Sequence, residues 1–306
     1  MSAICVKIAQ LTRREFLAAA AAAAVAGKAA TSASAEAKLP RRKLGRTGLE
    51  VSVIGYGTEF LESPEVVERL IEGGVNYLDT APMYQRGGAE RKLAPLLKRH
   101  RDKLIVATKW YPQKEGGGTK EHFLQSFDES CARMEVEGVD LIQLHDCRTP
   151  ETVDTPAAYA AFQELKQKGR VKWYGLTTHV SLVNYGSTAF SQPACLRKAV
   201  ELGWYDTCLA AWHFMSAPEE TEALKEAAKA GMGVLTMKAL KPLTNHDASW
   251  CPKFDHDEAR KVLKGDNLFQ ASIRWSLSHD FVTGVMLSMK NYDEVEENLQ
   301  AARTLA

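Results

Sequence analysis

From residue 40 onward the chain alternates short apolar runs with longer amphipathic segments, and this alternation narrows the fold more than any other feature. Eight strand candidates emerge: Val51–Gly57, Tyr77–Ala81, Leu104–Lys109, Leu141–His145, Val171–Leu176, Cys208–Trp212, Val234–Met237 and Val282–Leu287. Each is a near-continuous apolar run, as expected of strands covered on both faces. The segments between them have helical period and readable starts. Thr155-Pro156 places a cap before a proline at the first helical position. Ser216-Ala217-Pro218-Glu219 and Asn291-Tyr292-Asp293-Glu294 match the spacing of a capping box. Leu268, Ala271 and Trp275 mark one inner helical face, and Val295, Leu299 and Ala302 another. Strands alternating with helices imply a parallel sheet of βα units. Eight of each over about 265 residues fits a closed (β/α)8 TIM barrel in a single α/β domain. A doubly wound open sheet is the alternative, weakened because no Gly-x-Gly-x-x-Gly follows a strand and no second domain is visible.

With 39 basic and 38 acidic residues and no polybasic block, the chain lacks the footprint of a nucleic-acid binder. Six cysteines are scattered without a CxxC pair, a spacing that supports neither a disulfide framework nor a zinc or iron–sulfur site.

Residues 1–37 differ in composition from the remaining domain, 38–306. Thr12-Arg13-Arg14-Glu15-Phe16-Leu17 precedes an alanine-dominated run to Gly27, and Ala33-Ser34-Ala35 follows as an A-x-A-like cleavage site. The arrangement resembles a twin-arginine export signal, which implies the export machinery as a partner and an extracytoplasmic, periplasmic location. The alanine-rich core is too short and too weakly apolar for a membrane anchor. Losing residues 1–35 removes four basic residues and one acidic residue, leaving 35 and 37 in a mildly acidic mature chain.

Chemistry gathers where the apolar runs end. Asp79 closes Asn76-Tyr77-Leu78-Asp79, Lys109 closes Leu104–Lys109, His145 closes Asp140–His145, and Tyr84 lies just past the first of these. In a barrel these positions share one rim. A free phenol has a pKa near about 10, and a neighbouring ammonium is expected to lower it, suiting Tyr84 to general acid–base work. Asp79 is the counter-ion for Lys109, and His145 is placed to hydrogen-bond a substrate oxygen. Such a group protonates a carbonyl oxygen but cannot reduce its carbon, so a separate hydride source, a nicotinamide cofactor, is implied.

Arg42-Lys43-Leu44-Gly45-Arg46-Thr47-Gly48-Leu49-Glu50-Val51-Ser52, then Asn76–Ala81 with Tyr84, resemble the opening of an aldo-keto reductase. Thr108-Lys109, Asp140–His145, Lys168-Gly169-Arg170-Val171-Lys172-Trp173-Tyr174-Gly175 and Gly284–Asn298 continue the likeness in order. The resemblance implies a barrel with an N-terminal β-hairpin, NAD(P)(H) bound across its C-terminal mouth, and Asp79, Tyr84, Lys109 and His145 as a catalytic tetrad. The substrate class would be an aldehyde or ketone and its alcohol. A nucleotide-binding redox-sensing or regulatory subunit of the same fold is the alternative; the intact tetrad favours the enzyme. Around the cofactor the resemblance places Asp79, Thr177, Thr178, Ser288, Lys290, Glu294 and Asn298. Thr177-Thr178-His179 stands where the family often has Ser-Asn, and Glu294 where many members have an arginine. Lys290, a turn earlier, is a partial replacement for that charge and tips the expectation to NADP over NAD. A related bacterial branch often carries a C-terminal cysteine cluster; none precedes Ala306, so no iron–sulfur centre is expected.

Other residues admit two readings. Trp110, Tyr111 and Trp212 are candidates for an aromatic substrate pocket, or ordinary rim packing. Lys238, after the seventh strand, is a candidate contact for the cofactor pyrophosphate or a salt-bridged rim residue. The long segment Lys241–Asp266 has the length of a lid over a dinucleotide. Its His246, Asp247, Cys251, Asp255, His256 and Asp257 fit no established metal-ligand spacing, so no metal is expected there.

Overall fold

The computed structural model describes residues 38–111, 118–179, 191–244 and 256–305. The leader expected at 1–37 lies outside the described residues, as do Gly116, Gly117 and the stretch 245–255 with His246, Asp247, Cys251 and Asp255.

Strands β1 (Arg41–Lys43) and β2 (Glu50–Ser52) pair antiparallel as a hairpin. Eight further strands follow: β3 (Ile54–Gly57), β4 (Tyr77–Asp79), β5 (Ile105–Trp110), β6 (Leu141–Leu144), β7 (Trp173–Thr178), β8 (Thr207–Ala211), β9 (Gly233–Met237) and β10 (Gly284–Leu287). Each pairs parallel with the next, and β10 closes onto β3 through Val285 opposite Ile54. The architecture is therefore the closed eight-stranded (β/α)8 barrel with an N-terminal hairpin that the sequence led us to expect. The other strand ends lie within about two residues of expectation, and one difference is structural. The run Val51–Gly57, expected as one strand, divides at Val53. The amide of Val53 donates to Pro40 O (3.0 Å) on the hairpin side, while its carbonyl accepts from Val285 N (2.8 Å) on the barrel side. A single residue thus hands the chain from one sheet to the other.

The longer helices are α1 (Pro64–Glu72), α2 (Gly88–His100), α3 (Lys120–Met134), α5 (Pro156–Gln167), α6 (Gln192–Leu202), α7 (Pro218–Lys229), α10 (Leu268–Leu277) and α11 (Tyr292–Arg303). Shorter pieces are α4 (Pro150–Val153), α8 (Lys241–Thr244) and α9 (His256–Val262). No helix among the described residues is long and apolar enough to cross a membrane. The start of α11 is capped as expected: Asn291 Oδ1 accepts from Glu294 N (2.9 Å), and Glu294 Oε2 accepts from Lys290 N (2.9 Å). At α7 the cap sits one residue later than its sequence spacing implied. Glu220, not Glu219, reaches back to Ala217 N (3.1 Å), and Ser216 instead accepts from His213 N (3.1 Å). Thr155 precedes Pro156 without capping it, its hydroxyl donating to Thr152 O (3.0 Å).

Strand alternation divides the buried side chains into two populations. Val106 and Trp110 of β5 pack outward among the helices, whereas Ala107 and Lys109 face the interior. Tyr77, Ala107, Leu141, Leu209, Leu235 and Met286 fill the barrel, together with Leu44 and Val51 from the hairpin. The hairpin is a stopper at the N-terminal end. Arg46 N donates to Gly231 O (2.8 Å) and Arg46 Nη2 to Ala230 O (2.8 Å). Gly45 has φ +48°, and a Cβ there would stand 2.2 Å from Gly233 N, closer than any van der Waals contact permits. With that end sealed by apolar residues, polar groups are left for the opposite mouth.

Gly45→Ala should therefore lower stability by more than about 1 kcal/mol, since both its left-handed backbone and its contact with β9 reject a side chain. A denaturant-unfolding midpoint equal to the parent would show that the stopper does not bind that tightly.

Candidate active site

Period-two alternation turns Asp79, Lys109 and Gln143 toward the interior from three consecutive strands. The register supports this: Asp79 lies opposite Ala107, and Lys109 opposite Gln143. Lys109 is buried, and its Nζ donates to Asp79 Oδ2 (2.5 Å), Thr80 O (2.7 Å) and Tyr84 Oη (3.2 Å). The same ammonium lies 4.6 Å from the centre of the Tyr84 ring. Asp79 Oδ1 accepts from Gln143 Nε2 (2.8 Å). Gln143 was not singled out from sequence, although a polar residue inside the apolar run of β6 was a usable signal.

Burial opposes the charge on Lys109, but Asp79 and the Tyr84 phenol outweigh it and hold the ammonium above its ordinary 10.5. For Tyr84 the balance runs against the sequence-based expectation of a lowered phenol. Burial raises it above the ordinary 10, Lys109 pulls it back only in part, and Asp79 adds to the rise. The phenol is therefore protonated at neutral pH, the form a proton donor needs. His145 follows β6, with its amide donating to Trp110 O (2.7 Å) and its ring edge-on to both Tyr84 and Tyr111 (5.8 Å each between centroids). Burial first, then the charges of Lys109 and His179, drive the imidazole well below 6.5, so it is neutral.

These groups open into a cavity of about 420 Å³. Tyr84, Lys109, Tyr111, His145, Thr177 and Lys238 line it, joined by Glu59, Phe60, Met83, Gln85, Asp146, His179, Leu209 and Met237. Most of the latter arrive on loops, where sequence gave no signal of convergence. His179 Nε2 stands 3.8 Å from Asp146 Oδ1, and Asp146 also pairs with Arg148 (2.6 Å). Burial and the charge of Lys238 lower the His179 imidazole to about 4, Asp146 offsetting them in part. Lys238 adopts φ +65°, and burial lowers its amine despite Glu59 nearby.

Two aromatic candidates face elsewhere. Trp110 is the outward neighbour of inward-facing Lys109 and packs on Phe123, Phe127 and Tyr174, between strand and helices. Trp212 stacks on Trp275 (4.6 Å) and donates from Nε1 to Thr221 Oγ1 (3.0 Å), also behind the barrel wall. Neither lines the cavity, and of the three only Tyr111 does. The same parity separates Thr177, whose Oγ1 accepts from Asp146 N (2.8 Å) at the mouth, from Thr178, whose hydroxyl donates to Cys147 O (2.8 Å). Thr178 is buried with its hydroxyl turned away from the cavity. Beyond the cavity, exposed Ser288 follows β10 and donates to Gly57 O (2.8 Å). Exposed Lys290 lies 5.7 Å over the Phe60 ring, Glu294 is occupied as a cap, and Asn298 is buried one turn further along α11. No cluster of three or more His, Cys, Asp or Glu residues suited to a metal occurs among the described residues.

The sequence profile of the Aldo/keto reductase family matches residues 55–305, nearly the whole barrel. The chain belongs to the aldo/keto reductase family. Among its relatives, the uncharacterized oxidoreductase YqkF of Bacillus subtilis (strain 168) is 33% identical over 150 residues, covering 45% of this chain and 48% of that protein. L-galactose dehydrogenase of Arabidopsis thaliana is 27% identical over 303 residues, covering 88% and 89%. An aldo-keto reductase from Bacillus halodurans, solved in its holo form, superposes with a TM-score of 0.73 at 24% identity, covering 86% of this chain and 90% of its own. That likeness concerns the fold. The family uses nicotinamide cofactors, and membership in it makes this chain an oxidoreductase.

Three depressed histidines set an acid limit on stability. His145 lies well below 6.5, while His179 and His213 lie at about 4, each chiefly through burial. The unfolded chain takes up these protons near pH 6.5, and the folded chain refuses them until far lower. Their contribution is thus complete above pH 6.5 and declines as pH falls toward 4. The thermal midpoint should drop across that window, and His213→Gln should flatten the drop. An unchanged slope in the variant would remove His213 from the account.

Proposed function

We propose that this protein transfers hydride between NADP(H) and an aldehyde or ketone and its alcohol, with Tyr84 as general acid. One observation carries the reading: a single buried ammonium, Lys109, bonds both the Asp79 carboxylate (2.5 Å) and the Tyr84 phenol (3.2 Å) at the barrel mouth. In reduction, Tyr84 gives its proton to the carbonyl oxygen. Lys109 stabilises the phenolate left behind, and Asp79 keeps Lys109 charged. His145, being neutral, donates one hydrogen bond that holds the oxygen against the phenol without competing for its proton. When bound, the nicotinamide supplies or accepts the hydride.

The donor set at the mouth suits such a cofactor. The Thr177 hydroxyl matches a carboxamide, and Lys238 a pyrophosphate. Exposed Lys290 supports NADP over NAD, because the carboxylate of Glu294 is occupied by the start of α11 and Lys290 has no ion pair among the described residues. Both directions belong to the proposal, since L-galactose dehydrogenase and pyridoxal 4-dehydrogenase (22% identical over 332 residues, Microbacterium luteolum) carry the names of oxidations. Following the loss of reduced cofactor absorbance with a panel of aldehydes, ketones and sugars is the direct test.

Tyr84→Phe should cut carbonyl reduction by about 10²- to 10⁴-fold while nucleotide still binds by fluorescence titration. A variant with nearly full turnover would take the acid role away from Tyr84. The raised phenol also fixes the pH dependence. Reduction needs the protonated form and should stay flat through neutrality, falling only above pH 10, whereas oxidation should climb toward that limit. A reduction rate already halved at pH 8 would contradict this assignment.

We further propose that residues 1–37 export the folded protein by the twin-arginine route. The reading rests on Arg13-Arg14-Glu15-Phe16-Leu17, the alanine run and Ala33-Ser34-Ala35. An exported enzyme cannot rely on the cytoplasmic nucleotide pool and would retain its cofactor through each cycle, using coupled substrates. Protein recovered from the exported fraction should begin near residue 36 and release nucleotide on denaturation at about one per chain. Intact chains found only in the cytoplasm would exclude export.

A further inference from the structure

The turn that presents Tyr84 has an unusual backbone. Gln85 (φ 52°, ψ 32°), Arg86 (φ 55°, ψ 46°) and Gly87 (φ 79°, ψ 0°) are three left-handed residues in succession, directly after the phenol and before α2. Two of them carry side chains that disfavour this conformation, so neighbouring groups must hold it. On the solvent side, Gln85 Nε2 donates to Leu61 O (2.8 Å), and Lys92 Nζ ties Gln85 Oε1 (2.9 Å) to the same carbonyl (2.7 Å). On the protein side stands a charged pair that the proton-transfer chemistry does not use. Glu90, on the first turn of α2, is fully buried. Its Oε2 accepts from Arg133 Nε (2.6 Å) of α3, and its Oε1 accepts from Thr108 Oγ1 (2.8 Å) of β5. The Arg133 stem lies directly on the turn: a Cβ at Gly87 would be 2.7 Å from Arg133 Cδ.

Thr108 is the outward neighbour of Lys109, whose Nζ reaches the Tyr84 hydroxyl inside the barrel. A closed ring results, running from Tyr84 through the left-handed turn to Glu90, across to Thr108, along one peptide to Lys109, and back to the phenol. We propose that Glu90 and Arg133 are positioning residues for Tyr84, setting the phenol–ammonium distance from behind the barrel wall. Burying an ion pair is a poor route to stability, because apolar residues of similar volume usually serve as well or better. A charged pair here makes physical sense as a directional brace: Glu90 accepts from β5 and from α3 at once, which an apolar side chain cannot do. A shift of about 1 Å at a reacting group is enough to cost on the order of 10²-fold in rate.

The role rests on the reading of Tyr84 as the acid, and the test separates the two. Glu90→Leu with Arg133→Met replaces the pair by apolar residues of similar size and should keep the thermal midpoint near the parent. Its kcat for carbonyl reduction should fall at least about tenfold with KM little changed. Thr108→Val, which cuts only the strand-side link, should lower kcat in the same direction. Independently of turnover, the tyrosinate absorbance of each background minus its Tyr84→Phe counterpart reports the phenol itself. In both altered proteins that ionisation should move to higher pH, because Lys109 no longer stands as near. A stably folded double variant with parental kcat and parental Tyr84 ionisation would overturn the positioning role. If the parent protein reduces no carbonyl at all, the proposed function fails, and the Tyr84 titration alone still decides whether the brace sets the phenol. Should the double variant not fold, the Thr108→Val titration decides the same question.

Discussion

Everything at the mouth of this barrel depends on keeping one ammonium charged inside it. Lys109 is surrounded by protein, and an isolated ammonium there would lose its proton before it lost its place. It is retained because Asp79, Gln143 and the Thr80 carbonyl form a polar pocket around it, delivered by β4, the turn after it and β6. The arrangement is only as good as the strand register that builds it. Asp79, Lys109 and Gln143 face inward together because three strands pair in one alignment, Asp79 opposite Ala107 and Lys109 opposite Gln143. A slip of one residue would send Lys109 among the helices and bring Thr108 or Trp110 into the barrel.

Burial more than that charge sets the state of its two titrating neighbours. The phenol stays protonated and the imidazole of His145 stays neutral, so the substrate oxygen would meet two uncharged donors backed by one cation. A site of this kind needs little reorganisation when charge moves, because its dipoles are already fixed. It is also poorly solvated. The price is tension between the folded state and water at acid pH, where buried imidazoles would rather be charged.

The barrel was legible in the sequence because strands covered on both faces must be apolar throughout, and such runs stand out from amphipathic helices. Asp79, Lys109 and His145 stood out for the same reason, as polar residues at the ends of apolar runs. Parity carried information that the aromatic candidates lost. Once Lys109 faces inward, Trp110 must face outward and Tyr111 inward again; the alternation of β8 likewise turns Trp212 away. The split between Thr177 and Thr178 follows the same rule. The direction of the Tyr84 pKa was not legible, because the proximity of a lysine can be guessed from sequence whereas depth of burial is a property of the assembled mouth. Asp146, Glu59 and Gln85 were invisible for a related reason: they reach the cavity from loops, whose paths no periodicity encodes.

The hairpin stopper has a consequence for traffic. With Leu44 and Val51 sealing one end and Tyr77, Leu141 and Leu235 filling the shaft above them, the described residues leave the interior open at the mouth that holds Tyr84. Under the proposed function, cofactor and substrate would both reach Tyr84 from that side and leave by it. If one of the two settled beneath the other, it would have to enter first and leave last, a last-in, first-out order imposed by the closed end.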